Sequence, residues 1–113
     1  MTYENQKIAR MANALVEYFL SHNAKGLILS ILEDEKQISI LLQIGNVSLS
    51  DKSMDELKHY LYMERQEEME EYYWHLLGND SETEEISLIG MMVDEATVTS
   101  VPPSLTIELI RYL

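Results

Sequence analysis

Between residues 4 and 22, Ile8, Met11, Ala12, Leu15, Val16, Phe19 and Leu20 recur at steps of three and four, with Lys7, Arg10, Glu17 and Ser21 on the opposite side. That spacing predicts an amphipathic helix with one core-facing stripe. The segment Ser21 to Gly26 stops it, because Asn23 and Gly26 tolerate the left-handed conformation that helix ends use. Residues 27–32 and 38–44 are then rich in Ile and Leu around the polar turn Glu33 to Lys36, which predicts a β-hairpin. In its second strand Ile38, Ile40, Leu42 and Ile44 share one face and Ser39, Leu41 and Gln43 the other, so one face of the sheet belongs to the core.

A loop through Ser48 leads to a second helical region, where Ser53 and Glu56 have the spacing of a capping box. Leu57, Tyr60 and Leu61 form one short apolar stripe. Met69, Tyr72, Tyr73, Leu76 and Leu77 form another beyond the acidic run 64–71, predicting two helices or one that bends near residue 64. Gly78-Asn79 ends this region, Asp80 to Glu85 reads as a polar loop, and Ser81 or Thr83 is placed to cap a further helix through Ile86, Ile89 and Val93 to about Ala96. The tail alternates again, from Thr97 to Val101, through Pro102-Pro103, into Leu105, Ile107 and Leu109 against Thr106, Glu108 and Ile110. It reads as a second hairpin. Helix, two strands, helices and two strands make an α+β chain, a two-layer α/β sandwich with a four-stranded, mostly antiparallel sheet and three or four helices on one face.

With 113 residues, 46% of them hydrophobic, the chain fits one domain (1–113) able to bury roughly 65% of its unfolded surface. No apolar run approaches the length of a membrane span, the N-terminus lacks a signal-peptide pattern and there is no cysteine, so a cytoplasmic protein is expected. The net charge of −12 is concentrated: residues 51–85 hold twelve acidic and three basic side chains. Such a field repels nucleic acid and anionic membrane, whose binding needs clustered Lys and Arg. Lys7, Arg10 and Lys25 give the N-terminal region its mild basicity, too few to make a polyanion site.

The four glycines, Gly26, Gly45, Gly78 and Gly90, stand singly, so there is no Gly-rich loop to wrap a phosphate with N–H groups. Glu64, Glu67, Glu68, Glu70 and Glu71 offer the oxygen ligands a hard cation wants, without the loop spacing that fixes them, and otherwise read as a solvated helix face that a basic partner would relieve. Glu71 and His75 lie four apart on one helical face, half of a metal site at most. His22, His59 and His75 share no motif. Tyr60, Tyr62, Tyr72, Tyr73 and Trp74 crowd five aromatic rings into fifteen residues, and since 72, 73 and 74 point three ways, at least one ring is exposed or held by another molecule.

The element order, with Ile86-Ser87-Leu88-Ile89-Gly90-Met91-Met92-Val93-Asp94-Glu95-Ala96 before the last hairpin, resembles the end of a histidine-kinase-like (GHKL) ATP-binding domain. The helix 8–22 is similar to the one that carries that superfamily's Glu and Asn, and the likeness is closest to its small stand-alone SiaB-type members. Under this resemblance the catalytic Glu position is Ala14 and the magnesium-binding Asn position is Tyr18. The Asp-x-Gly-x-Gly box falls on Gly45-Asn46-Val47-Ser48-Leu49-Ser50-Asp51, and the second glycine box is reduced to Gly90. Glu82, Glu84 and Glu85 would meet a triphosphate with like charge. The resemblance therefore implies a degenerate member that keeps the scaffold and not the reaction.

The expectation is a non-catalytic regulatory or scaffold domain, a signalling pseudoenzyme with no cofactor or metal, acting through a protein partner or as a homodimer. Its contact surface is expected either on the outer sheet face or edge, marked by Leu41, Ile110 and Tyr112, or on the helix carrying Glu70, Glu71, Tyr73 and Trp74. The alternative is a divergent ATP-binding protein kinase or ATPase. A third idea is a small-ligand pocket between sheet and helices, with bulky Tyr18 arguing that the place is filled.

Overall fold

In the computed structural model, residues 3–77 and 82–113 are described, with side chains of the second segment described from Glu85 onward. The order is α1 (Glu4–Ser21), β1 (Lys25–Glu33), β2 (Gln37–Asn46), α2 (Asp51–Leu61), α3 (Glu67–Tyr73), a 3-10 turn (Trp74–Leu76), α4 (Glu82–Met91), β3 (Glu95–Val101) and β4 (Ser104–Tyr112). The four strands form one antiparallel sheet in the order β1-β2-β4-β3, so the two hairpins join through β2 and β4. This is the expected α+β two-layer arrangement.

The inward faces of the two central strands, Ile38, Ile40, Leu42 and Ile44 with Leu105, Ile107 and Leu109, are all buried. They form the floor of a core roofed by Met11, Leu15 and Phe19 of α1, Leu57 and Leu61 of α2, and Ile86 and Ile89 of α4. Asn23 takes a positive φ of 62° just after α1, and Gly26 one of 71° as β1 begins. Both are the positions at which the chain was expected to leave the helix.

Local readings change at the start of α2 and at both ends of α4, and of the two alternatives for residues 53–77 the chain takes two helices. The N-cap of α2 is Ser50, whose hydroxyl accepts the Ser53 N–H at 3.1 Å, because the helix starts at Asp51 and Ser53 already lies inside its first turn. The 62–66 segment separates α2 from α3 completely. The last helix ends at Met91 and β3 opens at Glu95, with Met92 and Val93 buried in the connection. The expected stop at Gly78-Asn79, the loop residue Asp80 and the cap at Ser81 fall outside what is described, whereas residues 82–85, expected as loop, and Thr83, expected as a cap, already belong to α4, which starts at Glu82.

Gly90 is fixed by packing. A Cβ built there would stand 1.7 Å from the Tyr60 carbonyl oxygen and 2.8 Å from its carbon. α4 thus crosses α2 backbone to backbone, and only glycine permits that approach.

Candidate interaction surface

The acidic helix α3 does not present Glu70 to a partner. Its carboxylate is 2% exposed and sits in a cluster assembled from α1, α3, β4 and the segment before α3. Lys7 Nζ donates to Glu70 Oε2 at 2.7 Å and to Glu71 Oε1 at 2.6 Å. Arg111 donates through Nη1 and Nη2 to the two Glu70 oxygens at 2.9 and 3.2 Å, through Nε and Nη2 to Glu4 at 2.8 Å each, and through Nη1 to the Met92 carbonyl. Arg65 adds bonds to Glu70 at 3.2 Å and to Asp94 at 2.8 Å.

Burial works against ionisation of Glu70, and the hydrogen bonds from Arg111 and Lys7 outweigh it, holding its carboxyl below the usual range. Burial likewise opposes the charge on Lys7, and its bonds to Glu70 and Glu71 hold the ammonium above its usual range. Every buried side-chain polar atom among the described residues has a partner. Such a fully satisfied cluster is an internal fastening of helix to sheet, so the expected solvated face is corrected at this residue. The helical periodicity that marked α3 as amphipathic counted only apolar positions, and the buried position on its inner side is a glutamate.

The aromatic neighbours divide. Trp74 is half-buried, stacked on Tyr3 at 5.5 Å between ring centroids with the Arg10 guanidinium 5.7 Å from its ring centre, and Arg10 also donates to the carbonyls of His75 and Leu77 at 3.0 Å. Trp74 is therefore occupied within the chain. Tyr73 and Tyr72 are exposed, Tyr72 at 74%. Glu71 is exposed apart from its bond to Lys7.

The outer sheet face carries the other expected residues. Leu41 and Ile110 are half-buried, and Tyr112 is exposed with its hydroxyl donating to Glu95 and its N–H donating to Asp94 at 2.6 Å. In the register Leu41 pairs with Ser30, and Ile110 lies in the row Leu32, Ser39, Ile110. Both residues therefore continue a patch that begins on β1, where Ile28 is 61% and Leu32 69% exposed.

That strand is the feature sequence reasoning missed. β1 is an edge strand nine residues long, apolar on both faces, and almost wholly exposed. Its inward residues Leu29 and Ile31, paired with the buried Leu42 and Ile40, are 38% and 46% exposed because the helical layer stops short of them. A groove of about 180 Å³ is left beside it, lined by Asn5, Ile8 and Ala9 of α1 with Ile31, Glu33 and Ile38. The Asp34 N–H donates to the Gln37 carbonyl at 3.0 Å, and backbone direction alternates along an antiparallel ladder. The N–H and C=O groups of Leu27, Leu29, Ile31 and Glu33 consequently point to the open side. The available signal was the run 27–32 itself, too apolar on both faces for a strand with one solvated face, but edge position depends on strand order, which local pattern does not encode.

The residues that the resemblance aligned with a nucleotide site lie elsewhere. Ala14 is fully buried and Tyr18 nearly so, the Tyr18 ring packing on Phe19 and His22 at 4.9 and 4.4 Å. Asn13 and Glu17 face outward and bond to each other at 3.3 Å. A cleft of about 190 Å³ between α1, α2 and α4 is lined by Tyr18, His22, Ser53, Glu56, Leu57, Tyr60 and Ile86. Among the described residues, no three His, Asp or Glu side chains gather at metal-binding spacing, and no helix is long and apolar enough to cross a membrane. The chain matches no family model, and no significant similarity relates it to a curated protein or to a solved structure.

Proposed function

We propose that this chain is a non-catalytic protein-interaction domain that takes up a strand from a protein at the open side of β1. The observation that carries the reading is the exposed apolar edge, with backbone groups along it that have no partner among the described residues and the Ile28, Leu32, Leu41 and Ile110 patch continuing from it across the outer face. Pairing by strand addition supplies main-chain hydrogen bonds for affinity and alternate side chains for selectivity. A scaffold of GHKL type that has lost its nucleotide site is compatible with this. Under that resemblance the buried Tyr18 would take the place of the magnesium-binding residue, and the close contact of Gly90 with Tyr60 accounts for a glycine there without any phosphate.

A photo-crosslinking residue placed at Leu32, on the open strand, is expected to capture protein in the cells that express the chain, while the same residue at Thr99, on β3, captures none. Equal capture at both positions, or none at Leu32, contradicts the reading. The loss of nucleotide binding has its own check, since a ligand at 100 times its dissociation constant adds about 2.7 kcal/mol and moves a domain of this size by about 10 °C. Millimolar Mg-ATP is expected to leave the melting temperature unchanged.

A further inference from the structure

We infer that the strand taken up by β1 is β1 of a second copy of the same chain, paired antiparallel about a two-fold axis through Leu29; this rests on the reading of β1 as a protein-binding edge. In that register Leu29 faces its own copy, Leu27 faces Ile31, and Lys25 faces Glu33, each contact occurring twice. The backbone groups that meet are those of the odd-numbered residues, the same ones that point away from β2. Lys25 and Glu33 are exposed at opposite ends of the strand and neither makes an ion pair among the described residues. A two-fold axis satisfies both at once, which a strand of arbitrary sequence does not do.

Three properties favour the chain's own copy over another protein. The first is charge. On a chain of net charge −12, β1 carries one cation and one anion and is neutral, so two copies approach here without the repulsion that the 51–85 region would impose. The second is symmetry of shape. On the outer face Ile28 stands opposite Ser30 and diagonal to Leu32 of the second copy, and on the inner face Leu27, Leu29 and Ile31 form one seam, so both exposed apolar rows are covered by the same pairing. The third is closure. The opposite edge, β3, has its Val98 N–H bonded to the Tyr62 hydroxyl at 3.1 Å and an outward row of Glu95, Thr97 and Thr99 that is apolar only at its last residue, Val101, so β1 meeting β1 ends growth at two copies with a continuous eight-stranded sheet.

The test is sedimentation of the purified chain with four variants. The wild type is expected at twice the 13.1 kDa chain mass at about 100 µM. Leu29→Pro removes an N–H that faces the open side, where proline is tolerated in an edge strand, and is expected to sediment as a folded monomer with its far-UV spectrum retained. Lys25→Glu and Glu33→Lys, which alter only exposed side chains, each place like charges opposite one another and are expected to weaken self-association about tenfold or more. Mixed one to one they restore it, and the double variant Lys25→Glu/Glu33→Lys restores it alone.

A monomeric wild type overturns self-pairing, and so does a dimer that survives Leu29→Pro. A dimer whose mixed charge variants fail to recover overturns the register. The cellular crosslink separates these failures from that of the broader reading: an adduct at Leu32 to a different protein leaves β1 a binding edge and sinks the self-pairing, whereas no adduct sinks both.

Discussion

The two edges of the sheet are built from the same chemistry and treated in opposite ways. At β3 an outward N–H is occupied by Tyr62, the exposed row is Glu95, Thr97 and Thr99 with a single apolar residue, Val101, at its end, and the neighbouring strand β4 is fastened to the helices through Arg111. At β1 the outward groups have no partner among the described residues, both faces are mostly Leu and Ile, and the helical layer leaves a groove instead of cover. Proteins ordinarily blunt an apolar edge with charge, proline or a covering element, because an open one invites pairing. On the proposed reading, a chain that guards one edge and leaves the other open has a stable side and an associating side. Substitutions on the first should change stability, and those on the second should change assembly.

The largest effect is expected at the ion cluster. Arg111→Met leaves Glu70 buried with its main partner gone and should cost about 3–5 kcal/mol in equilibrium unfolding. The paired change Arg111→Met/Glu70→Met should recover most of that loss, since Lys7 keeps Glu71, Arg65 keeps Asp94, and Glu4, which loses Arg111, is partly exposed to water. A smaller penalty, about 1–3 kcal/mol or unfolding of the α2 and α4 contact, is expected for Gly90→Ala, where the added methyl meets the Tyr60 carbonyl.

The cluster also sets a pH signature. The folded Glu70 holds its proton less tightly than in the unfolded chain, so its contribution is present above the ordinary carboxyl value of 4.5 and disappears as pH falls through the lower folded value. Lys7 acts at the other end: its contribution is complete below 10.5 and fades as pH rises beyond that. Acid unfolding curves should therefore be steeper for the wild type than for Arg111→Met/Glu70→Met below pH 4.5, and the two should run parallel near neutrality.

Tyr62→Phe tests the guard directly. It releases the Val98 N–H at the cost of one hydrogen bond, about 1 kcal/mol or less, and opens the second edge. Higher-order species by light scattering are the expected consequence, because a chain with two open edges no longer closes at two copies. The smallest change in stability belongs to Leu32→Lys, within about 0.5 kcal/mol of wild type because the side chain is already exposed, yet it should abolish association.

Most of the fold was legible in the periodicity. α1, both hairpins and the alternating strands with Ile38 to Ile44 and Leu105 to Leu109 on the core face follow from local pattern, because each face of these elements meets one environment. The site was legible only in part. Leu41, Ile110 and Tyr112 mark the outer face, but Ile28 and Leu32 stayed hidden inside what reads as an ordinary buried strand. Glu70 failed for the converse reason. Its burial depends on Arg111 and Lys7, 41 and 63 residues away in the chain, and no local window joins them. Gly90 reads in the sequence as a remnant of a phosphate loop, and the fold adds a packing role against Tyr60 that a single letter does not reveal.

Residue-resolved amide exchange at low and high protein concentration tests the contrast between the edges most directly. The account expects the Leu27, Leu29 and Ile31 amides to exchange freely in dilute solution and to become protected as concentration rises, while Val98 is unchanged. Protection of Leu29 that does not vary with concentration in the isolated chain, or concentration-dependent protection that falls on β3 instead, contradicts it.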